Sequence, residues 1–137
     1  MNEAYAAALR QDTVAWEALQ ALAQEHRAAI MAHEAPRVDG LRRDLREALG
    51  RALETHREAL HRKPPVADPE CAELERQAER AWLTARDAIR FNLALLRDTC
   101  DYLEGVTAAA RPGAARPGHG RGRRPRVVAV SADRKVA

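Results

Sequence analysis

The sequence predicts an all-α fold: an up-down-up antiparallel three-helix bundle, packed like a coiled coil, with a long C-terminal helix and a disordered basic tail. Three observations predict it. Ala, Glu, Lys, Leu and Arg supply 79 of the 137 residues, which is the composition of long helices. Val and Ile total only 10, too few for the regularly spaced β-branched runs of a sandwich or barrel. Apolar residues recur at three- and four-residue spacing in three stretches, and proline-containing breaks separate them. Aromatic residues are scarce, so the core is expected to be an Ala/Leu seam between helices, which seldom lines a deep pocket.

The first helix is expected at about residues 3–33, where Tyr5, Leu9, Trp16, Leu19, Ala23, His26 and Ile30 keep the helical period and Asp12 is the one lapse. Pro36 disfavours a helical Ala35 and suits the first turn of a new helix. The second helix is therefore expected at about 36–62, on Val38, Leu41, Leu45, Leu49, Ala52, His56 and Leu60, with Gly50 costing roughly 1 kcal/mol against Ala. Lys63-Pro64-Pro65-Val66-Ala67-Asp68-Pro69 reads as a loop whose last two residues form a cap and a first turn. The third helix, about 69–110, is the longest, because Cys71, Leu74, Ala78, Ala81, Ala85, Ile89, Asn92, Leu96, Thr99, Leu103 and Val106 hold near-heptad spacing until Arg111-Pro112-Gly113. Two domains of behaviour follow: a helical bundle over 1–110 and a flexible Arg/Gly/Pro-rich tail over 111–137. The tail has no apolar periodicity to offset its ordering entropy, and its Val127-Val128-Ala129-Val130 run is short.

Charge divides at the same place. Residues 1–110 carry 15 Lys/Arg against 19 Asp/Glu, and residues 111–137 carry 8 against 1. The tail alone points toward nucleic acid, since arginine forks and mobile glycines can follow phosphates. No aromatic is interleaved there for base stacking. No stretch approaches the roughly 18–20 apolar residues of a membrane span, and Met1-Asn2-Glu3 lacks the positive start of a secretory signal, so a cytoplasmic protein without membrane insertion is expected. Cys71 and Cys100 lie about 43 Å apart if they share a helix, beyond disulfide reach.

Little in the chain resembles catalytic machinery. Glu58 and His61 form a single Glu-x-x-His pair, whereas a di-metal bundle needs two pairs and two more carboxylates. Ser131 is the only serine and lies in the tail. No Gly-rich loop joins a strand to a helix, so no phosphate cradle is expected. Neither an enzymatic activity, a metal nor a cofactor is expected. His26, His33 and His56 read as buried or boundary histidines, and Arg42, Arg43 and Arg46 as a solvated face.

Helix lengths carry the functional argument. At 1.5 Å per residue the helices span roughly 45, 40 and 60 Å, so the third outruns its partners and residues from about 98 to 110 project past the turn at Ala35-Pro36. Phe91, Leu95, Tyr102 and Val106 fall about 100° from the centre of the third-helix seam, giving its C-terminal half a second apolar face. That face meets another protein, a second copy of the chain or the tail, or else both faces are intramolecular core. Asn92 falls within the seam, where a buried amide needs partners and can fix helix register.

Several of these segments resemble the FlgN-type export chaperones of the bacterial flagellum. Trp16-Glu17-Ala18-Leu19-Gln20-Ala21-Leu22 with Glu25-His26-Arg27-Ala28-Ala29-Ile30 is similar to the family's first helix, and Arg90-Phe91-Asn92-Leu93-Ala94-Leu95-Leu96 followed by Tyr102-Leu103 to its long last helix. The resemblance covers about residues 5–107 and extends to a tail ending in an apolar and Asp-Arg-Lys segment, while the proline-rich loop and the arginine-rich tail depart from the family. It implies a non-catalytic, ATP-independent chaperone that binds the hook-associated proteins FlgK and FlgL and delivers them to the export gate. The implied client contacts fall on Phe91, Leu95, Tyr102, Leu103 and Val106. The alternative is a helical nucleic-acid-associated protein acting through its tail.

Overall fold

The computed structural model describes residues 1–111, and the tail from 112 onward, with its 127–130 run, lies outside the described residues. Three α-helices account for nearly all of it: α1 (Glu3–Met31), α2 (Ala35–Arg62) and α3 (Ala72–Ala110), the last preceded by a single 3-10 turn at Pro69–Cys71. No strand occurs among the described residues. None of their helices is long and apolar enough to cross a membrane. The chain divides into two units after Asn92, a position that falls within α3.

Each helix end has a local cause. The Asn2 side chain accepts from the Tyr5 backbone N–H at 3.1 Å and caps α1. At the other end His33 takes a left-handed φ of 55°. Its N–H donates to the Ile30 carbonyl and the Glu34 N–H to Ala29, each at 3.1 Å. This is a Schellman turn with histidine where glycine is usual, so α1 stops two residues short of the expected His33. Ala35 joins α2 despite Pro36, because Pro in the first turn lacks only an N–H that has no partner there anyway. Asp68 caps the 3-10 turn through the Glu70 N–H at 3.0 Å and also accepts from the Asn2 N–H at 2.9 Å, tying the loop to the chain start. These bonds, the Asn2 N–H foremost, hold the Asp68 carboxyl below the usual carboxylate range.

Packing in the first unit is layered. Tyr5, Ala6, Ala8 and Leu9 of α1 meet Ala59 of α2, Cys71 of the 3-10 turn, and Leu74 and Ala78 at the start of α3. Further along, Trp16 and Leu19 fill the space against Ala48 and Ala52 of α2 and Ala81 and Ala85 of α3. These pairings run α2 against α1 and α3 along it, which is the up-down-up order. Large side chains come from α1 and small ones from its neighbours, so the layers interdigitate. Burying a side chain such as Leu19 is worth roughly 1.5–3 kcal/mol.

The α1 and early α3 seams match the spacing, but α2 corrects it. Leu41 and Ala52 are buried as expected, but Leu49 and Leu60 are exposed, and Ala48 and Ala59 face inward instead. The bulk of α1 leaves room for a methyl group and not for an isobutyl group.

Candidate partner-binding surface

Two polar layers interrupt the apolar seam. Asp12, 2% exposed, receives the Thr55 hydroxyl at 3.2 Å and lies 3.0 Å from His56 Nδ1. A carboxylate only accepts, so Nδ1–H donates and the lapse in the α1 pattern is satisfied inside the bundle. Thr55 Oγ1 also lies 2.9 Å from the Ala52 carbonyl, so its one proton is shared between two acceptors. The arrangement therefore reads as a layer that locks α1 to α2. Among the described residues no group of three or more His, Cys, Asp or Glu gathers to hold a metal, and Glu58 pairs with Arg62.

The second layer stands at the end of the first unit. Asn92, 2% exposed, donates through Nδ2 to the Ala23 carbonyl at 2.6 Å and to His26 Nδ1 at 3.3 Å. Its Oδ1 accepts from Arg27 Nε at 3.1 Å. Both ends of the amide are used, and the register of α3 against α1 is set by three residues of α1. His26 Nε2 is buried without a partner. Burial, followed by the Arg42 charge, pushes the His26 pKa below its ordinary value. The Arg27 guanidinium also lies 4.3 Å above the centre of the Phe91 ring, so one arginine serves both neighbours on α3.

No described residue after Asn92 is buried. Helical hydrogen bonding carries α3 to Ala110, and the apolar pattern goes with it. Tyr102 is 59% exposed, Leu103 50% and Val106 48%. Leu95 is half-buried, and its carbonyl accepts the Thr99 hydroxyl at 2.9 Å. Leu93, exposed as well, was not among the expected contacts because it falls outside the second meridian. Phe91 and Asn92 belong to the first unit and the other expected contacts to the second. Along the helix axis Leu95 and Val106 are about 16 Å apart, the length of a three-turn helix contact.

A further surface, not expected from the sequence, lies between α1 and α2. A groove of about 470 Å³ has Val14, Ala15, Ala18, Leu22 and Ala48 among its walls, with Arg10 and Arg51 also lining it. Its signal in the sequence was Val14, an apolar residue off the α1 seam. Comparison of the chain with protein-family models, with curated proteins and with solved structures gives no match.

Proposed function

We propose that the protein is a non-catalytic cytoplasmic export chaperone whose C-terminal helix binds an amphipathic helix of a hook-associated client of the FlgK and FlgL kind before secretion. The observation that carries the reading is the apolar run Tyr102, Leu103 and Val106, left open on a helix that contributes no buried residue beyond Asn92 among the described residues. Its resemblance to FlgN-type chaperones supplies the identity of the client. A helix laid along this face completes the packing that α3 lacks, and each buried apolar anchor contributes roughly 1.5–3 kcal/mol before association costs. A few anchors reach micromolar affinity, from which a client can be released to the export gate without nucleotide.

The test is titration of the full chain with a purified hook-associated protein. Leu103→Asp is expected to weaken binding by at least about tenfold while helical circular dichroism stays unchanged. Unchanged affinity in Leu103→Asp and Leu95→Asp together removes this surface. Removal of residues 111–137 should leave client binding intact. Should that deletion instead abolish a salt-dependent affinity for DNA or RNA, the tail-based reading takes its place.

A further inference from the structure

A second cleft, of about 360 Å³, opens between α2 and α3 within the first unit. Buried Tyr5, Leu9 and Asp12 of α1 form its floor. One wall is His56, Ala59 and Leu60 of α2 with Lys63 at its end, and the other is Glu75, Ala78, Glu79 and Trp82 of α3. Each set runs from i to i+7 through i+3 or i+4, so its side chains share one helix face over about 10 Å. Hydrogen bonding inside the cleft leaves acceptors over. The Tyr5 hydroxyl donates to Glu75 at 2.6 Å, and burial, then Glu75, raise its pKa, so the proton stays on the phenol. Lys63 Nζ stands 3.7 Å from the same carboxylate. His56 gives its Nδ1–H to Asp12, which makes Nε2 of the neutral ring an acceptor. Glu79 makes no ion pair among the described residues. Arg86, 5.3 Å over the Trp82 ring, is paired with Asp87, so it adds no net positive charge to that wall.

We propose that this cleft binds a small organic ammonium ion, a cation that carries N–H donors on an apolar body. The cation meets the surplus acceptors, the Glu79 carboxylate and His56 Nε2, and its body lies against Leu60, Ala78 and Trp82, of which Leu60 and Trp82 are open to solvent. A carboxylate ligand finds only Lys63 as a cationic donor, and Lys63 is already turned to Glu75. The volume suits a small molecule, whose sites run from about 300 to 1,000 Å³. Asp12 then has a second consequence besides locking α1 to α2: it holds the His56 ring in the tautomer that presents a lone pair to the ligand. A bound cation joins α2 to α3 and stabilises the first unit by mass action. No residue of the exposed α3 tip takes part, so the inference stands or falls apart from the proposed function.

Titration calorimetry of the full chain at pH 8 compares three molecules of similar shape: 2-phenylethylammonium, 2-phenylethanol and phenylacetate. The ammonium ion is expected to bind with a Kd of about 0.1–1 mM, and the alcohol and the carboxylate at least about tenfold more weakly. Glu79→Gln, at an exposed position, should weaken ammonium binding at least about fivefold with unchanged circular dichroism. Glu17→Gln, an exposed acid of α1 outside the cleft, should change it less than about twofold. In imidazole nitrogen-15 spectra the His56 Nε2 resonance should move as the site fills. Failure to saturate by about 10 mM overturns the inference, and so does equal binding of the alcohol or the carboxylate. A loss in Glu17→Gln that matches the loss in Glu79→Gln also overturns it, because it marks diffuse attraction to the acidic body of the protein.

Discussion

Residues 1–92 and residues 93–111 share the same helical period, and the second stretch is the more apolar, yet only the first contains apolar residues that are fully buried. The difference lies in neighbours. Ala78, Ala81 and Ala85 are buried because Tyr5, Leu9, Trp16 and Leu19 stand against them. Leu103 and Val106 are larger and more apolar but remain about half exposed. An apolar stripe therefore marks a surface that must be covered, without stating whether the cover comes from the same molecule.

The comparison is tested most strongly by truncating one leucine in each region. Leu19→Ala should cost about 2–5 kcal/mol, the range for a filled core site, against less than about 0.5 kcal/mol for Leu103→Ala in the dilute, unassociated protein. Urea unfolding followed by circular dichroism measures both, and similar losses would erase the distinction between the regions. Next in size is the layer that ends the first unit. Asn92→Ala strands the Ala23 carbonyl and removes the acceptor for Arg27, for an expected loss of about 1–3 kcal/mol.

The same layer makes stability depend on pH. His26 has its pKa lowered by folding, so the unfolded chain binds the proton more readily and the sign is fixed. The contribution is fully present above the ordinary histidine value of 6.5 and is lost as pH falls from there toward the folded value. Protonation also puts a hydrogen on Nδ1, where the Asn92 amide already donates. Unfolding midpoints recorded from pH 7.5 to 5 should fall on acidification, and His26→Gln should flatten that part of the profile. The smallest effect belongs to the α1–α2 turn, where His33→Gly relieves a left-handed side chain and should stabilise by about 0.5–1 kcal/mol, read as a higher unfolding midpoint.

Much of this was legible in the sequence because α1 and early α3 obey a regular period, and every buried seam residue named on α1 is buried in the structure. Asn92 was legible for the same reason, as an amide at an apolar position. The α2 stripe was not, because Leu49 and Ala48 are adjacent and only the bulk of Trp16 and Leu19 decides which one turns inward. Asp12 could be seen as an irregularity, but its partners are 43 and 44 residues away, a pairing that spacing on one helix does not encode. The α1–α2 groove was signalled by Val14 alone, because its other apolar walls are mostly alanine, which reads as ordinary helix filler.

The two thiols sit on opposite sides of the division along α3. Cys100 is open to reagents, while Cys71 is enclosed and its thiol is pushed toward the unreactive protonated form by burial and by Asp68. A maleimide therefore attaches at once to Cys100, fixing a dye on the outer helix, and reaches Cys71 only when the first unit opens. The slow second addition, followed by mass spectrometry, is a native clock for the opening of the bundle.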